Sequence, residues 1–159
     1  MTTLSNNGKS GTVKSLLTKI KDAKNRKPSA LERIGFAASS NIETDHCIRA
    51  ETISVLTLKK LRNELDVSED VALSLVSMSR ATIARRKTLK PDEAGRVFRI
   101  ASILALTEEV LGDHDKGVRW LKSPAYFLGG ESPLSLTRTE AGAEEVRNLL
   151  FRIEHSVYS

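Results

Sequence analysis

The stretch Ser68-Glu69-Asp70-Val71-Ala72-Leu73-Ser74-Leu75-Val76-Ser77-Met78-Ser79-Arg80-Ala81-Thr82-Ile83-Ala84-Arg85-Arg86-Lys87 decides the fold. Ser68 precedes two acidic residues. Its hydroxyl suits the N–H groups that a first helical turn leaves without partners, and Glu69 and Asp70 favour the positive end of the helix dipole. Val71, Ala72, Leu75 and Val76 recur at helical spacing and supply a buried side. Ser77-Met78-Ser79 is a three-residue break, after which Ser79 caps a further helix predicted over Arg80 to about Thr88. In that helix Ile83 faces the core, while Arg80, Ala81, Thr82, Arg85 and Arg86 face outward. Upstream, Leu58, Leu61, Leu65 and Val67 mark another helix. A helix, a short turn with one apolar residue, and a capped helix rich in arginine make a helix-turn-helix. The turn commonly uses Gly where Ser77 stands, a departure that counts against the assignment.

The chemistry points to DNA. Ser79, Arg80, Ala81 and Thr82 open the second helix and are placed to meet base edges. Arginine can take guanine O6 and N7 together, and Thr82 suits a thymine methyl or a phosphate. Arg85, Arg86 and Lys87 are better suited to gripping phosphates. The plain alternative is a helical hairpin with a solvated basic face. Charge distribution favours DNA: residues 1–50 carry nine Lys or Arg against four Asp or Glu, and residues 91–159 carry eight against eleven. A chain basic in front and acidic behind suits a polyanion at one end and a different partner at the other.

The rest of the chain reads as helices. Only 4% of its 159 residues are aromatic and 40% are apolar, so Leu, Ile, Val and Ala must build the core, which points towards packed helices, an all-α protein, more than towards a sheet. Residues 1–44 are expected to be a flexible basic N-terminal arm, with Val13, Leu16, Leu17 and Ile20 at helical spacing, a short helix from Leu31 to Ala38, and a break from Ser39 to Asp45. Pro91 opens a long helix whose apolar arc (Val97, Ile100, Ala101, Leu104 and neighbours) predicts burial, and Gly112 stops it. A shorter helix, Lys116 to Leu121, sets Val118, Trp120 and Leu121 against it. Leu128-Gly129-Gly130-Glu131-Ser132-Pro133 is a compact turn. Thr139 caps a last helix with a stripe of Ala143, Val146, Leu149, Leu150, Ile153 and Val157.

Catalytic and metal patterns are weak. His46-Cys47, Asp113-His114-Asp115 and Glu154-His155 lack the paired spacings of a structural zinc site, and no phosphate loop or nucleophile elbow occurs. No cofactor is expected. No apolar run approaches a membrane span, and a single Cys47 fits a reducing compartment, so a cytoplasmic location is expected.

From about Leu58 onward the chain resembles the Xre/MbcA/ParS antitoxin family. The resemblance rests on the Ser79–Arg86 helix, then Arg96, Phe98-Arg99, Trp120-Leu121, Pro124, Leu128-Gly129-Gly130, Pro133-Leu134, Thr139-Glu140-Ala141-Gly142, Val146, Leu150, Ile153-Glu154 and Val157-Tyr158-Ser159. Ser156 stands where the family often has Gly. The resemblance implies an Xre-like helix-turn-helix domain over residues 45–106 and a small helical toxin-binding domain over 107–159, the boundary lying inside a shared helix. It further implies a bacterial type II antitoxin whose partner is a RES-type toxin that destroys NAD. Toxin contacts are then expected at Trp120, Leu128, Gly129, Gly130, Glu154, His155, Val157, Tyr158 and Ser159. Glu154, His155, Tyr158 and Ser159 would be the blocking element, since a NAD-binding cleft accepts a carboxylate and an aromatic ring.

The expected behaviour is non-enzymatic: occlusion of the toxin, and repression of its own operon by a homodimer or larger hetero-oligomer with toxin on an inverted-repeat operator. One short recognition helix reads too few bases to be selective alone. Coupling between the two roles is expected through the helix from Pro91 to Leu111. The alternative is a stand-alone helix-turn-helix regulator whose C-terminal domain only oligomerises.

Overall fold

The computed structural model describes residues 27–36 and 40–156. The expected helix around Val13 to Ile20 lies outside the described residues, as do Val157, Tyr158 and Ser159. Within them the chain folds into nine α-helices and no strand: α1 Ala30–Ile34, α2 Asn41–Arg49, α3 Val55–Leu65, α4 Glu69–Val76, α5 Arg80–Arg85, α6 Pro91–Leu111, α7 His114–Lys122, α8 Pro133–Leu136 and α9 Glu140–Ser156. A 3-10 turn, Tyr126–Leu128, lies between α7 and α8. The all-α expectation holds.

Helix α6 is the axis. Its 21 residues span about 30 Å at the usual rise. Ala94, Val97, Ile100, Ala101, Ile103 and Leu104 are at most 1% exposed, and α1, α2, α3, α4, α7 and α9 all pack against it. The wide apolar arc read from sequence is thus covered on nearly every side. Thr107, also fully buried, is accommodated because its hydroxyl donates to the Ile103 carbonyl at 2.7 Å. Serine opens six helices, through Ser29, Ser40, Ser54, Ser68, Ser79 and Ser132, each hydroxyl accepting an N–H near the helix start.

Three boundaries differ from expectation. The arm expected over 1–44 does not extend that far. Ala30 and Ile34 of α1 are completely buried, and Phe36 makes an edge contact with Phe98 of α6 at 5.4 Å between ring centroids. Ser29 and Glu32 form a capping box, and Gly35 closes α1 at φ 106°. The break expected at 39–45 is instead the start of α2, capped by Ser40. Helix α5 ends at Arg85 and not near Thr88. The following segment is drawn out alongside residues 53–55: Leu89 N–H donates to the Ile53 carbonyl at 2.8 Å and Val55 N–H to the Lys87 carbonyl at 3.0 Å. Two long-range hydrogen bonds and a buried Leu89 outweigh one more helical turn.

Downstream, Gly129 and Gly130 take φ of 68° and 82°, as the compact turn requires. Pro133 does not merely end that turn; it stands at the start of α8. A Cβ on Gly142 would lie 2.2 Å from the Leu136 carbonyl oxygen, so only glycine lets α8 run this close to the first turn of α9.

Candidate functional site

The first candidate surface is α4, its turn and α5. Ser77 adopts the left-handed conformation (φ 56°, ψ 46°) that glycine would take more easily. Its N–H donates to the Ser74 carbonyl at 3.2 Å, and Met78 N–H donates to the Leu73 carbonyl at 2.9 Å. This paired closure of a helix end holds the turn angle without a glycine. Ser79 then caps α5, its Oγ accepting Thr82 N–H at 3.1 Å and lying 2.8 Å from Thr82 Oγ1. Ile83 is half-buried against the core, as expected.

Of the seven residues expected to meet DNA, Ser79, Arg80, Ala81, Arg85 and Lys87 are exposed and Thr82 and Arg86 are half-buried. Arg80 binds Asp70 of α4 through Nε (3.0 Å) and Nη2 (2.7 Å), both side chains being well exposed. Such a surface pair is worth under about 1 kcal/mol and is readily exchanged for another anion. Arg85 reaches only its own helix, donating from Nε to the Ala81 carbonyl at 3.2 Å. Among the described residues neither Arg85 nor Lys87 has a carboxylate partner. Arg86 is different. Its Nη1 lies 3.0 Å from both oxygens of Glu93, and Glu93 Oε2 also accepts Lys90 N–H at 2.8 Å. The side chains of Arg86 and Glu93 are 33% and 12% exposed, so this pair fastens α5 to the first turn of α6.

The second surface lies around the end of α9. Trp120 is half-buried and Leu128 is buried, both in the packing of this region. Leu128, expected to touch a partner, has its side chain packed into the core. Gly129, Gly130, Glu154 and His155 are exposed. The His155 ring lies 3.9 Å from that of Phe151 and its Nδ1 is 2.7 Å from the Phe151 carbonyl oxygen.

Sequence reasoning missed the apolar residues that surround these. Tyr126, Phe127 and Phe151 are 90%, 76% and 61% exposed. Tyr126 and Phe127 meet edge to face at 5.7 Å. Phe127, Leu149, Arg152, Ile153 and Ser156 line a groove of about 400 Å³. The available signal was local: two aromatic residues inside a Pro124-to-Gly130 turn cannot both reach a core, and Phe151 falls beside the stripe of α9 and not on it.

The two surfaces are bridged by polar contacts. Arg99 of α6 donates to the carbonyls of Thr137 (2.9 Å) and Arg138 (2.8 Å) and to Glu140 (3.2 Å). Arg138 in turn reaches Ser74 Oγ of α4 at 2.6 Å. Lys122 of α7 binds the Asp66 carbonyl and carboxylate at 3.0 and 3.1 Å. Glu140 sits below the usual carboxylate range because Arg147 hydrogen-bonds to it, burial opposing and Arg99 adding to the effect.

His46 is exposed and Cys47 half-buried on α2. Among the described residues, Glu64, Glu108 and His114 come close enough together to hold a cation, their ligand atoms lying within 4.8 Å of one another. His114 opens α7 just after the turn from α6, and its Nδ1 is 2.6 Å from Glu108 Oε1. A cation is already there: the Arg33 guanidinium donates to Glu64 (2.6 Å) and to Glu108. Burial works against the Arg33 charge, but the hydrogen bonds it donates to Glu108 and Glu64 outweigh it and raise its pKa. The cluster docks α1 onto α3 and α6.

Residues 106–155 match the model of the antitoxin Xre/MbcA/ParS C-terminal toxin-binding domain. The chain is similar to an antitoxin Xre of Photorhabdus laumondii, 30% identical over 131 residues covering 79% of this chain and 88% of that protein. An antitoxin Xre of Yersinia enterocolitica is 36% identical over 83 residues, 49% of this chain and 56% of that one. One from Pseudomonas putida is 35% identical over 74 residues, 46% of each. No described helix is long and apolar enough to cross a membrane.

Proposed function

The chain belongs to the Xre/MbcA/ParS family of antitoxins, and on that premise we propose that it neutralises a RES-type, NAD-degrading toxin and represses its own operon by binding operator DNA. The observation that carries the reading is the match of residues 106–155 to a toxin-binding domain, joined in one core to a helix-turn-helix. Neutralisation is by occlusion: the exposed Glu154 and His155 at the end of α9, with Val157, Tyr158 and Ser159 beyond them, enter the toxin's cleft. A carboxylate and a tyrosine ring suit a basic, partly apolar NAD site. This needs no catalysis by the antitoxin.

On the other face, α5 enters the major groove. Arg80 exchanges Asp70 for a base edge or phosphate, Thr82 meets a base or the backbone, and Arg85 and Lys87 hold phosphates. A homodimer sets two such helices on an inverted repeat, supplying the selectivity one six-residue helix lacks. The test is to express the chain, tagged, with its flanking genes and to weigh what co-purifies. A stoichiometric companion whose NAD-degrading activity returns when Glu154 to Ser159 are deleted is the expected result. A chain that emerges alone and still binds its upstream DNA would sink the antitoxin half.

A further inference from the structure

The exposed aromatic residues and the groove beside them remain outside that account, which uses only the end of the chain. The groove is built by two separate segments: Phe127 from the 3-10 turn, and Leu149, Arg152, Ile153 and Ser156 from the last two turns of α9. Leu149, 7% exposed, and half-buried Ile153 give it a fixed apolar floor. Phe127 stands as a wall with 76% of its surface in water, and Tyr126 extends the same edge. A volume of about 400 Å³ accepts one large apolar side chain with part of its backbone. The only ionised side chain lining the groove is Arg152, which is exposed and has no carboxylate partner among the described residues.

We propose that this groove is a toxin anchor, separate from the inhibitory tail, and that it takes a toxin segment carrying a large apolar side chain next to a carboxylate. The proposal rests on the toxin–antitoxin reading above. An aromatic wall over a packed floor is the setting in which a few side chains carry most of the affinity of an interface. Arg152 selects the flank: a carboxylate beside the anchor can be met bidentately at the groove's rim. A second copy of this chain fits poorly. A two-fold contact places each patch on itself, which would bring two Arg152 guanidinium groups together with no carboxylate from the groove to receive them. Every residue lining the groove except Ser156 lies within the matched toxin-binding region, and Ser156 stands one position beyond its end, next to the tail. Seating the anchor therefore aims the tail, turning its entry into the toxin's cleft into an intramolecular step.

The test titrates the full chain against the purified product of the neighbouring toxin gene, expressed in an inactivated form, with activity of the unmodified toxin as second readout. Phe127→Ala and Arg152→Glu are each expected to weaken binding at least about tenfold, with melting temperatures unchanged because both side chains are exposed. Deleting Val157 to Ser159 is expected to abolish inhibition while a stoichiometric complex still forms, since the anchor is intact and the plug is gone. Binding within about twofold of wild type for both point variants would overturn the anchor. So would a Phe127→Ala variant that loses self-association but keeps its toxin affinity, which would make the groove a homodimer face. A wild-type chain that binds no such gene product would instead overturn the reading beneath it, and the anchor with it.

Discussion

Arg86 Nη1 lies 3.0 Å from each carboxylate oxygen of Glu93, and this one contact separates two arginines that are neighbours in sequence. Among the described residues Arg85 stays on the exposed face of α5 with no carboxylate partner, whereas Arg86 turns inward to a carboxylate that is 12% exposed. The physical reason is the end of α5 at Arg85. The extended segment that follows rotates the next side chain away from the helical face and over the first turn of α6.

The two arginines should therefore fail differently. Arg85→Ala is expected to leave folding intact and to reduce the salt slope of operator binding by about one unit, as for a lost phosphate contact. Arg86→Ala should instead cost about 1–3 kcal/mol of stability by leaving the largely buried Glu93 carboxylate without its counter-ion, held only by the Lys90 N–H, while Arg86→Ala and Glu93→Gln together recover part of that loss. Urea unfolding and salt titrations of operator binding separate the cases. A salt slope that falls by a unit in a stable Arg86→Ala protein would return Arg86 to the phosphates.

Glycine substitutions should split by position. Gly142→Ala forces a Cβ to within 2.2 Å of the Leu136 carbonyl oxygen, which neither backbone can relieve without moving α8 off α9. A loss of about 1–3 kcal/mol is expected. Gly95→Ala, inside α6 with nothing within 4 Å of the new methyl, should gain about 0.5–1 kcal/mol from helix propensity alone. Equal effects from the two in thermal unfolding would contradict the close approach at Gly142.

These contrasts also mark what the sequence could disclose. Helix α6 was legible from its apolar arc and its Pro91 and Gly112 ends, because local spacing alone specifies such a helix. The α4–α5 turn was legible through Ser68 and Ser79, and Ser77 proved able to take the backbone conformation usually left to glycine. Helix α1 was legible as a short helix, expected over Leu31 to Ala38, but its place in the core was not. It is five residues long, and what holds it is Arg33 bonding to carboxylates 31 and 75 positions away. The burial of Leu128 was not legible either, because the 3-10 turn that carries it packs on α9, which is distant in sequence. The Tyr126, Phe127 and Phe151 surface was not legible, because spacing alone does not say whether an aromatic residue packs inward or stays in water.

Acid should loosen the C-terminal helices first. Glu140 is held below the ordinary carboxylate range by Arg147 and then Arg99. A folded-state pKa below the unfolded one stabilises the fold fully above the unfolded value and ceases to do so as pH falls through the folded value. Stability should thus decline as pH drops through and below the ordinary carboxylate range, and Glu140→Gln should flatten that decline while lowering stability at neutral pH. Unfolding midpoints measured from pH 7 downward check the sign. A Glu140→Gln chain that loses stability in acid as steeply as the wild type would assign the titration to other groups.

Communication between the two surfaces has a shorter route than the length of α6. Arg138 stands at the junction of α8 and α9, its carbonyl held by Arg99 and its guanidinium on Ser74 of α4, the helix that supports α5. A toxin that shifts the start of α9 by even one hydrogen-bond length must either drag α4 or break the Arg138–Ser74 contact. Arg138→Ala is therefore expected to leave operator affinity and toxin affinity each within about threefold of wild type when measured alone, because the contact is exposed and weak. What should change is the effect of one ligand on the other. In the wild type, saturating toxin should alter operator affinity by about 5-fold or more, and by reciprocity operator should alter toxin affinity by the same factor. In Arg138→Ala both factors should shrink together towards one. If the coupling survives intact in Arg138→Ala but disappears when α6 is loosened by Leu104→Ala, the buried helix carries the signal and the surface bridge does not.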